Sequence, residues 1–174
     1  MFFSRILAAT ATPPLFTGIQ GRRCFATAML ASTGRSIERS RCEPVTRGER
    51  GSVATLRGCV MDGLFSETNR ATRRVLAVND YGIVAAPGQG CCGALHAHAG
   101  DLATARSLAR RNIAACERSG AKFVAVNAAG CGAIMKEYGH LLKDDAGWHE
   151  RAERMSARVK DVSELLAAAG PREG

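Results

Sequence analysis

The chain has 174 residues, 46% of them hydrophobic and 23% charged, which suits one soluble domain plus an appendage and excludes collagen-like, coiled-coil and low-complexity classes. Its apolar runs, such as residues 83–87 and 165–169, fall far short of the roughly 20 residues that a membrane span requires. The net charge of +8 gathers in the first 58 residues, which hold nine Arg against three Glu; the nearly neutral remainder has no basic stripe of the kind that binds nucleic acid.

Residues 1–50 carry no periodic segment. Pro13-Pro14, Gly18, Gly21, Gly34 and Gly48 interrupt them, and the first acidic residue is Glu38. An acid-free start with Arg, Ser and Thr has the composition of an organelle transit peptide, and equally of a disordered tail. Residues 1–50 are therefore expected to form a disordered tail or targeting leader, and residues 51–174 the folded domain.

From Gly51 onward, short β-branched runs alternate with helical stretches, which predicts an α/β domain: a small parallel sheet with flanking helices. A first strand is expected over 52–57. The helix after it repeats Leu64, Thr68, Ala71, Val75 and Val78 at spacings of four and three, so that face is predicted to be buried. A second strand over 83–86 leads into a glycine-rich turn at 87–93. Asp101 is the expected N-cap of the next helix, whose Leu102, Ala105, Ala109, Ile113 and Cys116 share one side and whose stop is Gly120. A third strand over 123–127 runs into a turn at 128–132. The last stretch places Trp148, Ala152, Met155, Val159, Val162, Leu166 and Ala169 on one stripe, which reads as a helix that packs on the sheet or binds a partner.

There are seven cysteines. An odd number without a secretory signal, including an adjacent pair whose direct bridge would be strained, argues against a disulfide scaffold and for metal or redox chemistry. Each predicted strand runs into a turn carrying cysteine: Cys59 after the first, Cys91-Cys92 after the second, Cys131 after the third. In a parallel sheet these turns share one edge, where open α/β sheets bind ligands. Four thiolates suit either tetrahedral zinc or an iron–sulfur cluster. Gly58, Gly90, Gly93, Gly130 and Gly132 leave room for a bulky inorganic core and bring N–H donors to its sulfurs, which favours the cluster. Cys116, on an apolar helix face, reads instead as a buried small hydrophobe, and Cys24 and Cys42 have no partner motif. His96, His98, Asn127, Lys136, Glu137, Tyr138 and His140 lie near the same edge, as outer partners of the site or as a docking rim.

The stretches Gly58-Cys59-Val60-Met61, Asn69-Arg70-Ala71-Thr72, Gln89-Gly90-Cys91-Cys92-Gly93-Ala94-Leu95-His96, Asn127-Ala128-Ala129-Gly130-Cys131-Gly132-Ala133 and Lys136-Glu137-Tyr138-Gly139-His140 closely resemble the iron–sulfur subunit of glycolate oxidase. More broadly they resemble the cysteine-rich CCG domain shared with heterodisulfide reductase and with related lactate and glycerol-3-phosphate dehydrogenases. The likeness runs over about residues 52–170. It implies a Rossmann-like CCG domain in which Cys59, Cys91, Cys92 and Cys131 hold an iron–sulfur cluster of the 4Fe–4S class. It also implies a non-catalytic electron relay, from a flavin-bearing partner that oxidises glycolate to a membrane quinone or another acceptor. The implied location is cytoplasmic and peripheral to the inner membrane through that complex, with a mitochondrial location as the alternative.

No flavin or NAD is expected on the chain. Gly88-Gln89-Gly90-Cys91-Cys92-Gly93 fits G-x-G-x-x-G, but the thiol pair stands where pyrophosphate would approach, so the match is read as coincidental. Two departures from the resemblance are visible. Its full-length members carry a ferredoxin module and two CCG domains, of which one is recognisable here, so the chain is read as truncated. The broader pattern closes on C-x-x-C, whereas Ile134 stands three positions after Cys131. Two competing readings are a clusterless fragment that docks a partner, and a thiol–disulfide redox protein with Cys131 as resolving thiol.

Overall fold

The structure, a computed structural model, describes residues 48–170. The expected leader, with Cys24 and Cys42, lies almost wholly outside the described residues. The elements run β1 (Ser52–Thr55), α1 (Cys59–Leu64), α2 (Ser66–Val78), β2 (Gly82–Val84), α3 (Ala94–His98), α4 (Leu102–Ser119), β3 (Phe123–Val126), α5 (Ala129–Lys136), α6 (Tyr138–Leu141), α7 (His149–Arg158), β4 (Val159–Asp161) and α8 (Val162–Ala169). The strands form one sheet in the order β2-β1-β3-β4, with every neighbouring pair parallel. The expected α/β class is the observed one.

Side chains alternate across the sheet, so each strand feeds two cores. Val124 and Val126 of β3 pack with Ala105, Ala109 and Ile113 of α4 and with Met135, Tyr138 and Met155. Ala125, between them in sequence, joins Val53, Leu76 of α2 and Leu165 of α8 in the second core. The chain steps from β1 to one neighbour, then back across β1 to β3. At such a reversal of strand order the connections leave opposite faces, and a crevice opens beyond the carboxyl ends of β1 and β3.

Helix α4 follows its sequence closely. The Asp101 carboxylate accepts a hydrogen bond from the Thr104 N–H at 3.1 Å, and Ala105, Ala109, Ile113 and Cys116 are buried. Leu102 remains at the exposed margin.

Two expectations need correction. The helix after β1 is broken at Phe65, and its buried face is Asn69, Thr72 and Leu76, not the stripe of Leu64, Thr68, Ala71, Val75 and Val78. Leu64, Val75 and Val78 are exposed. The face turns by about one residue because the buried polar side chains find partners at the sheet's end. Asn69 Nδ2 donates to the Arg57 carbonyl at 2.8 Å, and Asn127 Nδ2 donates to Asn69 Oδ1 at 3.0 Å and Thr72 Oγ1 at 2.9 Å.

The stripe from Trp148 to Ala169 is likewise not one helix. Helix α7 ends at Arg158, and Val159, 1% exposed, pairs with Val124 as the start of a fourth strand. Asp161 then caps α8, its side chain taking the Ser163 N–H while Glu164 reaches back to the Asp161 N–H. Leu165 is the buried residue of α8, with Val162, Leu166 and Ala169 partly buried beside it. The stripe therefore packs on the sheet. Among the described residues no helix is long and apolar enough to cross a membrane.

Candidate metal centre

The four cysteines that end the strands do meet at one rim. Cys59 opens α1, directly after Gly58, whose φ of 65° is the left-handed conformation that favours glycine. Cys91 and Cys92 occupy the turn between β2 and α3. Gly93, at φ 88°, follows them in the same left-handed region, close against the Ala105 backbone. Cys131, expected in a turn, is instead the third residue of α5, which begins two positions earlier.

The sulfurs form two pairs. Cys59 Sγ lies 3.5 Å from Cys91 Sγ, and Cys92 Sγ lies 3.1 Å from Cys131 Sγ. The first pair is the outer one, with Cys59 exposed and Cys91 half-buried. The second is the inner one, with Cys92 buried and Cys131 half-buried. The Cys92 thiol donates to Cys131, which drives its own pKa far above the ordinary thiol value, an effect that burial reinforces. Receiving that hydrogen bond holds Cys131 below the ordinary value. Ionisation of Cys59 would oppose that of Cys131, which places the two pairs within electrostatic reach of each other. Among the described residues, no three His, Cys, Asp or Glu side chains close around a point where a single metal ion would sit.

Two of the glycines beside the cysteines have partners for their backbone N–H at the rim. The Gly93 N–H donates to Cys91 Sγ at 3.4 Å, but the Gly90 N–H is taken by Asn112 Oδ1 at 2.9 Å. Ile134, at the position of the missing second cysteine of C-x-x-C, packs against the core.

Hydrogen-bonded side chains tie the cysteine turns together. Gln89 accepts from the Arg57 N–H at 2.9 Å and donates to the Thr55 carbonyl at 3.0 Å, joining the turns after β1 and β2. The bonds among Asn69, Thr72, Asn127 and the Arg57 carbonyl join the turns after β1 and β3. Tyr138 donates to the Cys92 carbonyl at 2.8 Å.

Of the outer residues expected near the rim, Asn127 and Tyr138 thus have partners in it. His96 pairs with Asp101 at 3.1 Å, Lys136 pairs with Glu164, and His98 and Glu137 are exposed. His140 lines a surface groove with Lys136, Lys143 and His149 that none of the four cysteines borders. Asn112 is a site residue that the sequence reading misses. Its signal is present all the same, since it falls at core spacing between Ala109 and Cys116 on the buried side of α4, where a polar residue needs a reason.

Comparison with known proteins bears on this rim. Residues 53–136 match the family described as the CCG cysteine-rich domain. Over 114 residues the chain is 48% identical to the probable glycolate oxidase iron–sulfur subunit of Bacillus subtilis (strain 168), covering 66% of this chain and 26% of that protein. Over 117 residues it is 38% identical to the glycolate oxidase iron–sulfur subunit of Escherichia coli (strain K12), covering 66% of this chain and 29% of that one. Over 115 residues it is 26% identical to lactate utilization protein A of Exiguobacterium sp., covering 66% and 47% respectively. The chain spans about a quarter of the length of the two glycolate oxidase relatives. No solved structure matches it.

Proposed function

We propose, from the match of residues 53–136 to the CCG cysteine-rich domain, that the chain is an electron-transfer iron–sulfur domain of glycolate oxidase type. Cys59, Cys91, Cys92 and Cys131 would hold the cluster, of the 4Fe–4S class. The observation that carries this is the meeting of two thiol pairs at one sheet rim, 3.5 and 3.1 Å within each pair.

The donor set fits the group. Iron–sulfur clusters are commonly held by four cysteine thiolates, the donor set that Cys59, Cys91, Cys92 and Cys131 gather at this rim. The cluster, when bound, takes up and releases single electrons.

The chain's own residues do the rest. The inner pair, Cys92 and Cys131, is shielded by the core, while Cys59 faces solvent, the side from which a redox partner would approach. In that reading the electrons come from a flavin-bearing partner oxidising glycolate and go to a quinone or another acceptor, with the chain in the cytoplasm and peripheral to the inner membrane.

Anaerobic reconstitution with iron and sulfide tests this. The expected product is brown, with about four irons per chain, and both colour and iron are lost in Cys91→Ser and Cys131→Ser. A colourless product without iron, in which Cys59 and Cys131 react with a thiol reagent, would overturn the proposal. The 3.1 Å contact between Cys92 and Cys131 favours one alternative, a thiol–disulfide couple at that pair. It would register as a reversible two-electron potential in iron-free protein.

A further inference from the structure

Asn112 and Tyr138 are polar side chains, both 0% exposed, that project into the core between α4 and the sheet. Their polar groups are spent on the turn that carries the adjacent cysteines. Asn112 Oδ1 accepts from the Gly90 N–H at 2.9 Å. One Nδ2 hydrogen reaches the Cys91 carbonyl at 2.9 Å and the other the Tyr138 hydroxyl at 3.1 Å. That hydroxyl donates in turn to the Cys92 carbonyl at 2.8 Å. Three consecutive residues of one turn are thus held from the interior by an amide on α4 and a phenol on α6, with neither hydrogen of the amide left over.

A turn at the surface ordinarily satisfies its backbone groups with water, and apolar side chains would fill this part of the core at no desolvation cost. Neither holds here. We propose that Asn112 and Tyr138 are positioning residues for the metal centre: they fix the backbone path through Gly90, Cys91 and Cys92 and so set where the two sulfurs stand relative to Cys59 and Cys131. The proposal rests on the reading that these four cysteines hold the cluster. It deepens that reading by assigning the geometry of the adjacent pair to two residues whose hydrogen bonds go to backbone groups and to each other.

The protein supplies its own control. Tyr81, 4% exposed, donates its hydroxyl to the Leu165 carbonyl at 2.8 Å in the opposite core, so Tyr81→Phe loses the same group without touching a cysteine turn. The full chain and its Tyr138→Phe, Tyr81→Phe and Asn112→Leu variants are reconstituted anaerobically. Iron release to a chelator and the electron paramagnetic resonance spectrum of the reduced protein are then recorded. Tyr138→Phe is expected to release iron about tenfold faster, the usual scale for loss of an outer partner of a metal ligand, and to alter the spectrum. Tyr81→Phe is expected to match the parent in both. Release and spectrum in Tyr138→Phe equal to those of Tyr81→Phe would overturn the proposal, even if Asn112→Leu fails to fold.

Should the parent chain take up no iron, the cluster reading falls, and the positioning role is decided on metal-free protein. Alkylation of the buried Cys92 is then expected to be several-fold faster in Tyr138→Phe than in Tyr81→Phe. Equal rates would sink it.

Discussion

Cys116 and Cys131 are both helical thiols, yet their surroundings drive them in opposite directions. Cys116 lies 1% exposed in the core, where loss of hydration disfavours the thiolate and pushes its pKa up to about 11. Cys131 is half-buried and held below the ordinary thiol value by the hydrogen bond it receives from Cys92. The thiolate is the nucleophile, so a lower pKa leaves more of it at a given pH. In metal-free protein at pH 8, iodoacetamide is expected to label Cys131 before Cys116, with Cys116 labelled only on unfolding. Peptide mass spectrometry over a time course reads both. The inert thiol was legible in the sequence, because helical spacing reports burial. The pairing of Cys131 with Cys92 was not, since 39 positions separate them and no local pattern says which thiols touch.

At the scale of elements, the region from Trp148 onward shows how one periodicity hides two structures. A stripe at helical spacing runs through Val159, yet that residue belongs to β4, and the break is marked by the cap that follows. Asp161 accepts from both the hydroxyl and the N–H of Ser163, which holds its carboxyl below the ordinary range. A carboxyl depressed in the folded state contributes stability above its unfolded pKa of about 3.9 and loses it as the pH falls through the lower folded value. Asp161→Ala is therefore expected to cost about 1 kcal/mol near neutrality, and its urea midpoint should converge on that of the parent as the pH falls through the lowered folded value. A gap that persists unchanged into strong acid would show that the carboxylate is not the source. Neither β4 nor the Asp161-x-x-Glu164 cap was read from the sequence, because three residues carry too little periodicity to outweigh the stripe. The rotated face of α2 has a similar origin: its buried Asn69 and Thr72 follow hydrogen-bond partners rather than hydropathy.

For the molecule as a whole, the reversal of strand order at β1 divides the interior into two cores back to back. Ile113 anchors one and Leu76 the other, each 0% exposed. The four-stranded sheet is shared by both, so neither core can open without exposing the other's strands. Ile113→Ala and Leu76→Ala are each expected to cost about 2–5 kcal/mol and to leave a single unfolding transition, with circular dichroism and tryptophan fluorescence coinciding along a urea series. Separate transitions by the two probes would mean that the faces melt independently. The same reversal gathers the turns after β1, β2 and β3 at one rim, and Gln89, Asn69 and Asn127 stitch them together across 32 to 58 positions of sequence.

By itself, the sequence determined what depends on near neighbours: the alternation of strand and helix, the Asp101 cap, the burial of Cys116, and the arrival of a cysteine just beyond each of three strands. These follow from steric and hydrogen-bonding rules that act within a few residues. Only the tertiary structure decided which sulfurs pair, which polar groups of Asn112 and Tyr138 grip the adjacent cysteines, and that a fourth strand interrupts the last stripe. Periodicity records how much of a side chain is hidden but not what it meets, and a partner dozens of residues away is chosen only once the order of the strands is set.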